Sequence, residues 1–304
     1  MRSTENRRRA LQQLACLPLL ANGALTASSI PVPGNADRVG RKNLKTSLNA
    51  YSFNQLLTDG SMSMDELLEF CSDTGFEAVD ITAYYFPGYP KVPSDDYLYG
   101  VKRKAFRLGL EISGTGVRND FTETDPQKRK ESIQLVKDWV IAAEKIGAPV
   151  LRVFAGHQDH KGYSWDEVVK WMIEDLKACV EFGKQHGVMI GLQNHNGFIK
   201  TAAQVRQIIE AVDDEWFGLI LDIGSYRQGD AFQEIADTIG YAVSWQLKEN
   251  MYVNDVEVKT DISRLIKIIK ASDYKGYIPI ETLGPGDPKQ KVQALYEEVM
   301  RALG

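Results

Sequence analysis

From Leu44 onward, hydrophobic residues fall into short continuous runs, each closed by polar side chains and followed by a longer stretch of helical periodicity. The runs lie at Lys45–Ala50, Ala78–Thr82, Leu110–Gly114, Val150–Phe154, within Val188–Gly197, and at Phe217–Asp222, Ala242–Lys248 and Tyr277–Glu281. A short run that is apolar throughout reads as a strand buried on both faces, the signature of a parallel sheet. Helix starts are marked between them. Ser63-Met-Asp-Glu66 and Ser164-Trp-Asp-Glu167 are capping boxes, and Thr201-Ala-Ala-Gln204 opens a further helix. Asp125-Pro126 and Asp287-Pro288 each put proline at the first helical position. Eight strand–helix units in one chain predict an α/β fold, a single-domain (β/α)8 TIM barrel over residues 44–304. A doubly wound sheet would usually carry a glycine-rich turn after the first strand, where this chain has Tyr51-Ser-Phe-Asn54. Pro279 removes one ladder donor from the last strand, so local irregularity is expected there.

The N-terminus breaks the pattern. Arg7-Arg8-Arg9 precedes residues 10–29, which contain no charged side chain and end in small residues. These are the parts of an export signal over residues 1–29, and the consecutive arginines resemble a twin-arginine signal. A basic arm on a cytosolic protein is the alternative. Residues 30–43, with Pro31, Pro33 and Gly34, read as a linker. The apolar run is too short and interrupted for a stable membrane span, so a periplasmic or exported location is expected. A net charge of −5 without a basic block in the fold argues against nucleic acid as the main partner. Cys16, Cys71 and Cys179 show no paired metal spacing, and the last two sit in apolar helical patterns as buried thiols.

Chemistry in a (β/α)8 barrel sits at the carboxyl ends of the strands. The polar tips, in order, are His157 after the fourth strand, Gln193 and His195 at the fifth, Asp222 at the sixth, Gln246 and Lys248 at the seventh, and Glu281 at the eighth. Asp222 and Glu281 end otherwise apolar strands, and carboxylates at that depth need a cation or several donors nearby. Arg152, mid-strand, is expected to point into the barrel, to pair with Asp80 or to bind a substrate oxygen. The aromatic loop Tyr84–Tyr89 can stack on the apolar face of a ligand ring or form a small satellite core. Arg152, His157, Asn194 and Tyr84 are the candidate substrate-binding residues.

On Gln193-Asn-His195, Leu221-Asp222-Ile-Gly224, Gln246-Leu-Lys-Glu249 and Ile280-Glu281, the chain resembles the xylose isomerase-like barrels, the sugar phosphate isomerase/epimerase group, over about residues 44–304. The resemblance implies one divalent cation held by Glu, Asp, His and Glu at four strand ends. Carried over, these ligands fall on Gln193, Asp222, Gln246 and Glu281, so two of the four are glutamine here. An amide oxygen can ligate Mn2+ or Mg2+ but adds no charge, and Zn2+ prefers His or Cys. The expectation is therefore weakened binding of Mn2+ or Mg2+ rather than Zn2+. The alternative is a metal-free ring in which the glutamine NH2 groups donate to the carboxylates and Lys248 is the countercharge.

The resemblance also implies two opposed glutamates that move protons on both faces of a carbon beside a sugar carbonyl. An amide cannot accept that proton. Glu281 remains as base, with His195 or His157 as a further acid/base and Lys248 to hold the developing enolate. The expected function is an exported carbohydrate enzyme, isomerase- or epimerase-like, acting on a small non-phosphorylated keto-sugar. One-base chemistry, a lyase or hydratase, is the second reading. A sugar-binding barrel without catalysis is the third.

Overall fold

The computed structural model describes residues 44–156, 160, 162–195 and 197–304. The expected export signal and linker, and His157, lie outside the described residues.

Eight strands, β1 (Leu44–Asn49), β2 (Ala78–Thr82), β3 (Glu111–Gly116), β4 (Val150–Phe154), β5 (Met189–Gln193), β6 (Phe217–Asp222), β7 (Ala242–Lys248) and β10 (Gly276–Glu281), pair in parallel in that order, and β10 closes on β1. Nine helices are described: α1 (Asn54–Thr58), α2 (Met64–Thr74), α3 (Asp95–Arg107), α4 (Pro126–Ile146), α5 (Trp165–Gln185), α6 (Ala202–Val212), α7 (Ala231–Thr238), α8 (Ile262–Ala271) and α9 (Pro288–Leu303). The start signals act as the sequence implies. Ser63 and Ser164 form reciprocal capping boxes, and Asp125 and Asp287 cap helices that begin with proline. Each longer helix buries one stripe: α8 buries Ile262, Leu265, Ile266 and Ile269. Among the described residues, no helix is long and apolar enough to cross a membrane.

Register carries the polar tips to one end of the barrel. Asn49 lies opposite Asp80, Phe154 opposite Gln193, Asp222 opposite Gln246, and Lys248 opposite Glu281. Pro279 pairs in step with Ser47 of β1, whereas pairing on the β7 side spans only Ile280 and Glu281. The expected irregularity is this shortened ladder.

One element departs from the eight-fold repeat. After β7 the chain forms an antiparallel hairpin of β8 (Asn250–Val253) and β9 (Val256–Lys259). Its two turn residues, Asn254 and Asp255, have φ of 51° and 61°, the backbone of a two-residue turn with left-handed centres. Met251 anchors the hairpin in the core at 1% exposure.

Candidate active site

Asp222, at the end of β6, is the hub. It is fully buried. One carboxylate oxygen, Oδ2, accepts from Lys248 Nζ at 2.8 Å and from Gln193 Nε2 at 2.8 Å, and Oδ1 accepts from the Gly224 N–H at 2.9 Å. A carboxylate only accepts, so the amide group Gln193 turns toward it must be the NH2. Asn194 clamps the backbone behind it: its Nδ2 donates to the Asp222 carbonyl at 3.0 Å and its Oδ1 accepts from the Asp222 N–H at 2.7 Å. Burial pushes the Asp222 carboxyl up, but the charge and hydrogen bond of Lys248 and the Gln193 amide outweigh it, and the net direction is down. Burial likewise lowers Lys248, and the charges of Asp222 and Glu281 reverse this to a net rise. The pair is therefore an ionised ammonium–carboxylate. Gly224 makes room for it, because a Cβ there would stand 2.9 Å from Lys248 Cδ.

Gln246 is also fixed. Asn49 Oδ1 accepts from the Tyr51 N–H at 2.8 Å, which orients its amide, and its Nδ2 then donates to Gln246 Oε1 at 2.9 Å. The Gln246 oxygen is thus engaged by β1.

Glu281 stands apart from this network. It is only 5% exposed, yet among the described residues its carboxyl takes no hydrogen bond and no ion pair. Burial pushes it up to about 7, with Lys248 opposing and Asp222 adding to the rise. Arg152 donates to the Val117 carbonyl at 3.1 Å and to the Tyr84 hydroxyl, and its guanidinium lies 4.1 Å from the Phe154 ring centre. Gly116 permits this path, since a Cβ would fall 2.6 Å from Arg152 Nε. The contact ion pair expected with Asp80 is not formed, because the guanidinium is committed to Val117, Tyr84 and Phe154. Burial raises the Asp80 carboxyl to about 6, and Arg152 acts on it only as a more distant charge that lowers it.

The tips meet in a cavity of about 230 Å3 lined by Gln193, His195, Gln246, Lys248, Glu281, Arg152 and Tyr84, with Asn49, Tyr51, Thr82, Arg118, Phe154 and Leu283. His195 is exposed at its mouth, edge-on to Phe154 with ring centres 5.2 Å apart. Asn194, expected to contact substrate, does not line it: its amide is spent on the Asp222 backbone. Tyr84 joins both readings of its loop. It lines the cavity, and its ring packs edge-on against Tyr85 and Tyr89 with the Arg118 guanidinium 4.2 Å away. Tyr89 in turn packs on Trp139. Sequence reasoning passed over Asn49, Arg118 and Phe154. Asn49 ends an apolar strand and obeys the same strand-tip rule. Arg118, in the loop beyond β3, carries no such mark.

The donors do not fit a divalent cation at the four positions carried over. Gln193 presents NH2 rather than oxygen to Asp222, Gln246 gives its oxygen to Asn49, and the Lys248 ammonium already occupies the face of Asp222 that a cation would share. Among the described residues, no group of three or more His, Cys, Asp or Glu could hold a metal ion. The side chains as placed resemble the arrangement weighed against the Mn2+ or Mg2+ site, with Lys248 as countercharge to Asp222. That alternative holds only in part, because Gln246 does not donate to Glu281.

Comparison with solved structures gives the same fold. D-psicose 3-epimerase from Clostridium cellulolyticum H10, solved with D-tagatose, superposes with a TM-score of 0.69 at 14% identity, covering 85% of this chain and 99% of that one. The 3-keto-D-glucoside 4-epimerase from E. coli gives 0.67 at 16%, covering 85% and 99%. A probable 3-DHS dehydratase from Bacillus anthracis gives 0.66 at 16%, covering 84% and 98%. No curated protein matches the chain. A family model matches residues 68–303, most of the barrel, and by that match the chain belongs to the xylose isomerase-like TIM barrel family.

Proposed function

We propose that this barrel is a carbohydrate enzyme that removes a proton from the carbon beside a sugar carbonyl, with Glu281 as the base. The observation that carries this reading is Glu281 itself: a buried carboxyl without a hydrogen-bond partner among the described residues, raised to about 7, on the same cavity as an ammonium and a guanidinium. A general base works best when its pKa lies near the operating pH. As Glu281 takes the proton, negative charge grows on the carbonyl oxygen. Lys248 has three N–H donors and spends one on Asp222, so it can turn another toward that oxygen. Arg152 supplies a second positive charge, held in place by Val117 and Tyr84. In this reading His195, which lines the mouth, returns or delivers a proton.

Epimerase or isomerase activity is the family-level expectation. The Gln193 amide favours a one-base course, because its NH2 is committed to Asp222 and an amide accepts no proton. Elimination or hydration then becomes the second reading: Glu281 takes the α-proton, and His195 protonates the group that leaves from the neighbouring carbon. Two of the folds named above belong to an epimerase of a keto-glucoside and a probable dehydratase, chemistries of this same kind. The test is incubation with 3-keto-glucosides and with ketoses in D2O, followed by NMR. Exchange of the α-proton supports the enzyme reading. Exchange with retention and no new product leaves one-base chemistry. A protein that binds these sugars without exchange is the non-catalytic barrel.

We further propose that the protein acts outside the cytosol, on the strength of Arg7-Arg8-Arg9 and the uncharged stretch that follows. A chain lacking residues 1–29 should remain in the cytosol, and substitution of the arginines by lysine should block export.

A further inference from the structure

A second cavity, of about 610 Å3, adjoins the first and shares His195, Lys248 and Leu283 with it. The first cavity, at about 230 Å3, falls below the range of roughly 300–1,000 Å3 usual for sites that hold larger ligands. It has room for little more than one sugar ring. The second is the larger and opens directly onto the side where Lys248 and His195 stand.

Its outer wall is the hairpin that the eight-fold repeat does not require, and the wall is pinned. The Asp255 N–H donates to the Arg227 carbonyl at 2.8 Å, the Arg227 guanidinium lies 3.7 Å from the Tyr252 ring centre, and the Thr260 N–H donates to the Glu249 carbonyl at 2.9 Å. The opposite wall, Leu283 to Pro285 after β10, is tied back by Glu249, which accepts from the Leu283 N–H at 3.2 Å and from Lys291 at 2.8 Å. A preformed space of this kind costs a ligand little ordering free energy.

The wall chemistry selects the ligand class. Each cation there has its own carboxylate: Lys248 with Asp222, Lys291 with Glu249, and Arg227 with Asp255 at 3.5 Å. Asn250 donates to Glu257 at 2.8 Å. Among the described residues, no lysine or arginine of the wall is left without a carboxylate partner for a phosphate to replace. Ser225, Asn250 and Glu257, hydrogen-bonding side chains of both kinds, and the Tyr252 ring line the cavity, the features that recognise a neutral polyol.

We propose that this cavity is a second sugar subsite, so that the substrate is a glycoside: the reacting keto-sugar sits over Glu281 and a neutral glycosyl substituent lies against Asn250 and Tyr252. The proposal rests on the function given above and names its substrate class.

The test compares 3-keto-maltose with methyl 3-keto-α-glucoside by calorimetry, in the wild-type protein and in the Asn250→Ala and Tyr252→Ala variants. Deuterium exchange into the methyl glycoside is followed in parallel. The disaccharide should bind about tenfold more tightly, a difference of about 1.4 kcal/mol. Either variant should lower its affinity several-fold and leave binding and exchange of the methyl glycoside unchanged. Equal affinity for the two sugars overturns the subsite, as does tighter binding of the 6-phosphate of the methyl glycoside than of the disaccharide. Preference for the disaccharide without any exchange keeps the subsite and removes the proposed reaction. Exchange without preference does the reverse, and binding of neither sugar overturns both.

Discussion

At the scale of single residues, the site turns on which polar atoms are committed. Glu281 is uncommitted and raised to about 7, so its ionised fraction should govern the rate. As a base it must be deprotonated, and exchange should rise with pH through about 7 and then level off. Glu281→Gln should lower exchange by about 10²–10⁴-fold and abolish that limb. Lys248→Met leaves Asp222 buried with an unopposed charge, which should cost about 3–5 kcal/mol in denaturant unfolding as well as most of the activity. Gln193→Glu sets a second carboxylate against Asp222 where an NH2 donates at 2.8 Å. Like charges at that distance repel unless a proton or cation intervenes. The variant should melt below the wild type at neutral pH and recover with Mn2+, whereas the wild type should show no Mn2+-dependent shift. A wild-type shift of equal size would mean that Lys248 yields its place to a cation. The position of Asp222, Glu281 and Lys248 at strand ends is legible in the sequence, because carboxylates that close apolar runs are costly without a purpose. Which way an amide points is not: the turn of Gln193 and Gln246 depends on Asn49, Lys248 and backbone donors from other strands.

At the scale of elements, continuous apolar runs and capping boxes locate all eight barrel strands and the starts of most helices, since both signals are local. The hairpin escapes that reading because it falls inside a β-to-α connection, where the repeat leads one to expect only a loop. Its own pattern, Met251-Tyr-Val-Asn-Asp-Val256, contains the turn pair that gives the two positive φ values. Arg152 shows a further dependence between elements. It crosses above Gly116, its register partner on β3, with no space for a methyl group. Gly116→Ala should displace the guanidinium and weaken sugar binding, seen as a raised KM with folding stability lowered by about 1–3 kcal/mol. An unchanged KM would mean that Arg152 does not bear on the ligand.

For the whole molecule, function and stability oppose each other at Glu281. Its carboxyl rises from 4.5 to about 7 on folding, so between those values the native state binds the additional proton and stability falls as pH increases. Asp222 has the opposite sign: lowered by folding, it contributes stability above its unfolded value and loses it as pH drops through the folded one. Glu281→Gln should therefore be more stable than the wild type at pH 8, by about 1–3 kcal/mol, with the difference fading toward pH 4. The barrel thus keeps an ionisable group where a neutral one would serve its stability better, and the proposed proton transfer accounts for that cost. The most direct measurement is the pH profile of α-proton exchange into a 3-keto-glucoside, in EDTA, for the wild type and Glu281→Gln. The account predicts chelator-insensitive exchange that rises through about pH 7 in the wild type and is lost in the variant. Exchange that survives in Glu281→Gln, or that disappears with EDTA and returns with Mn2+, would contradict it.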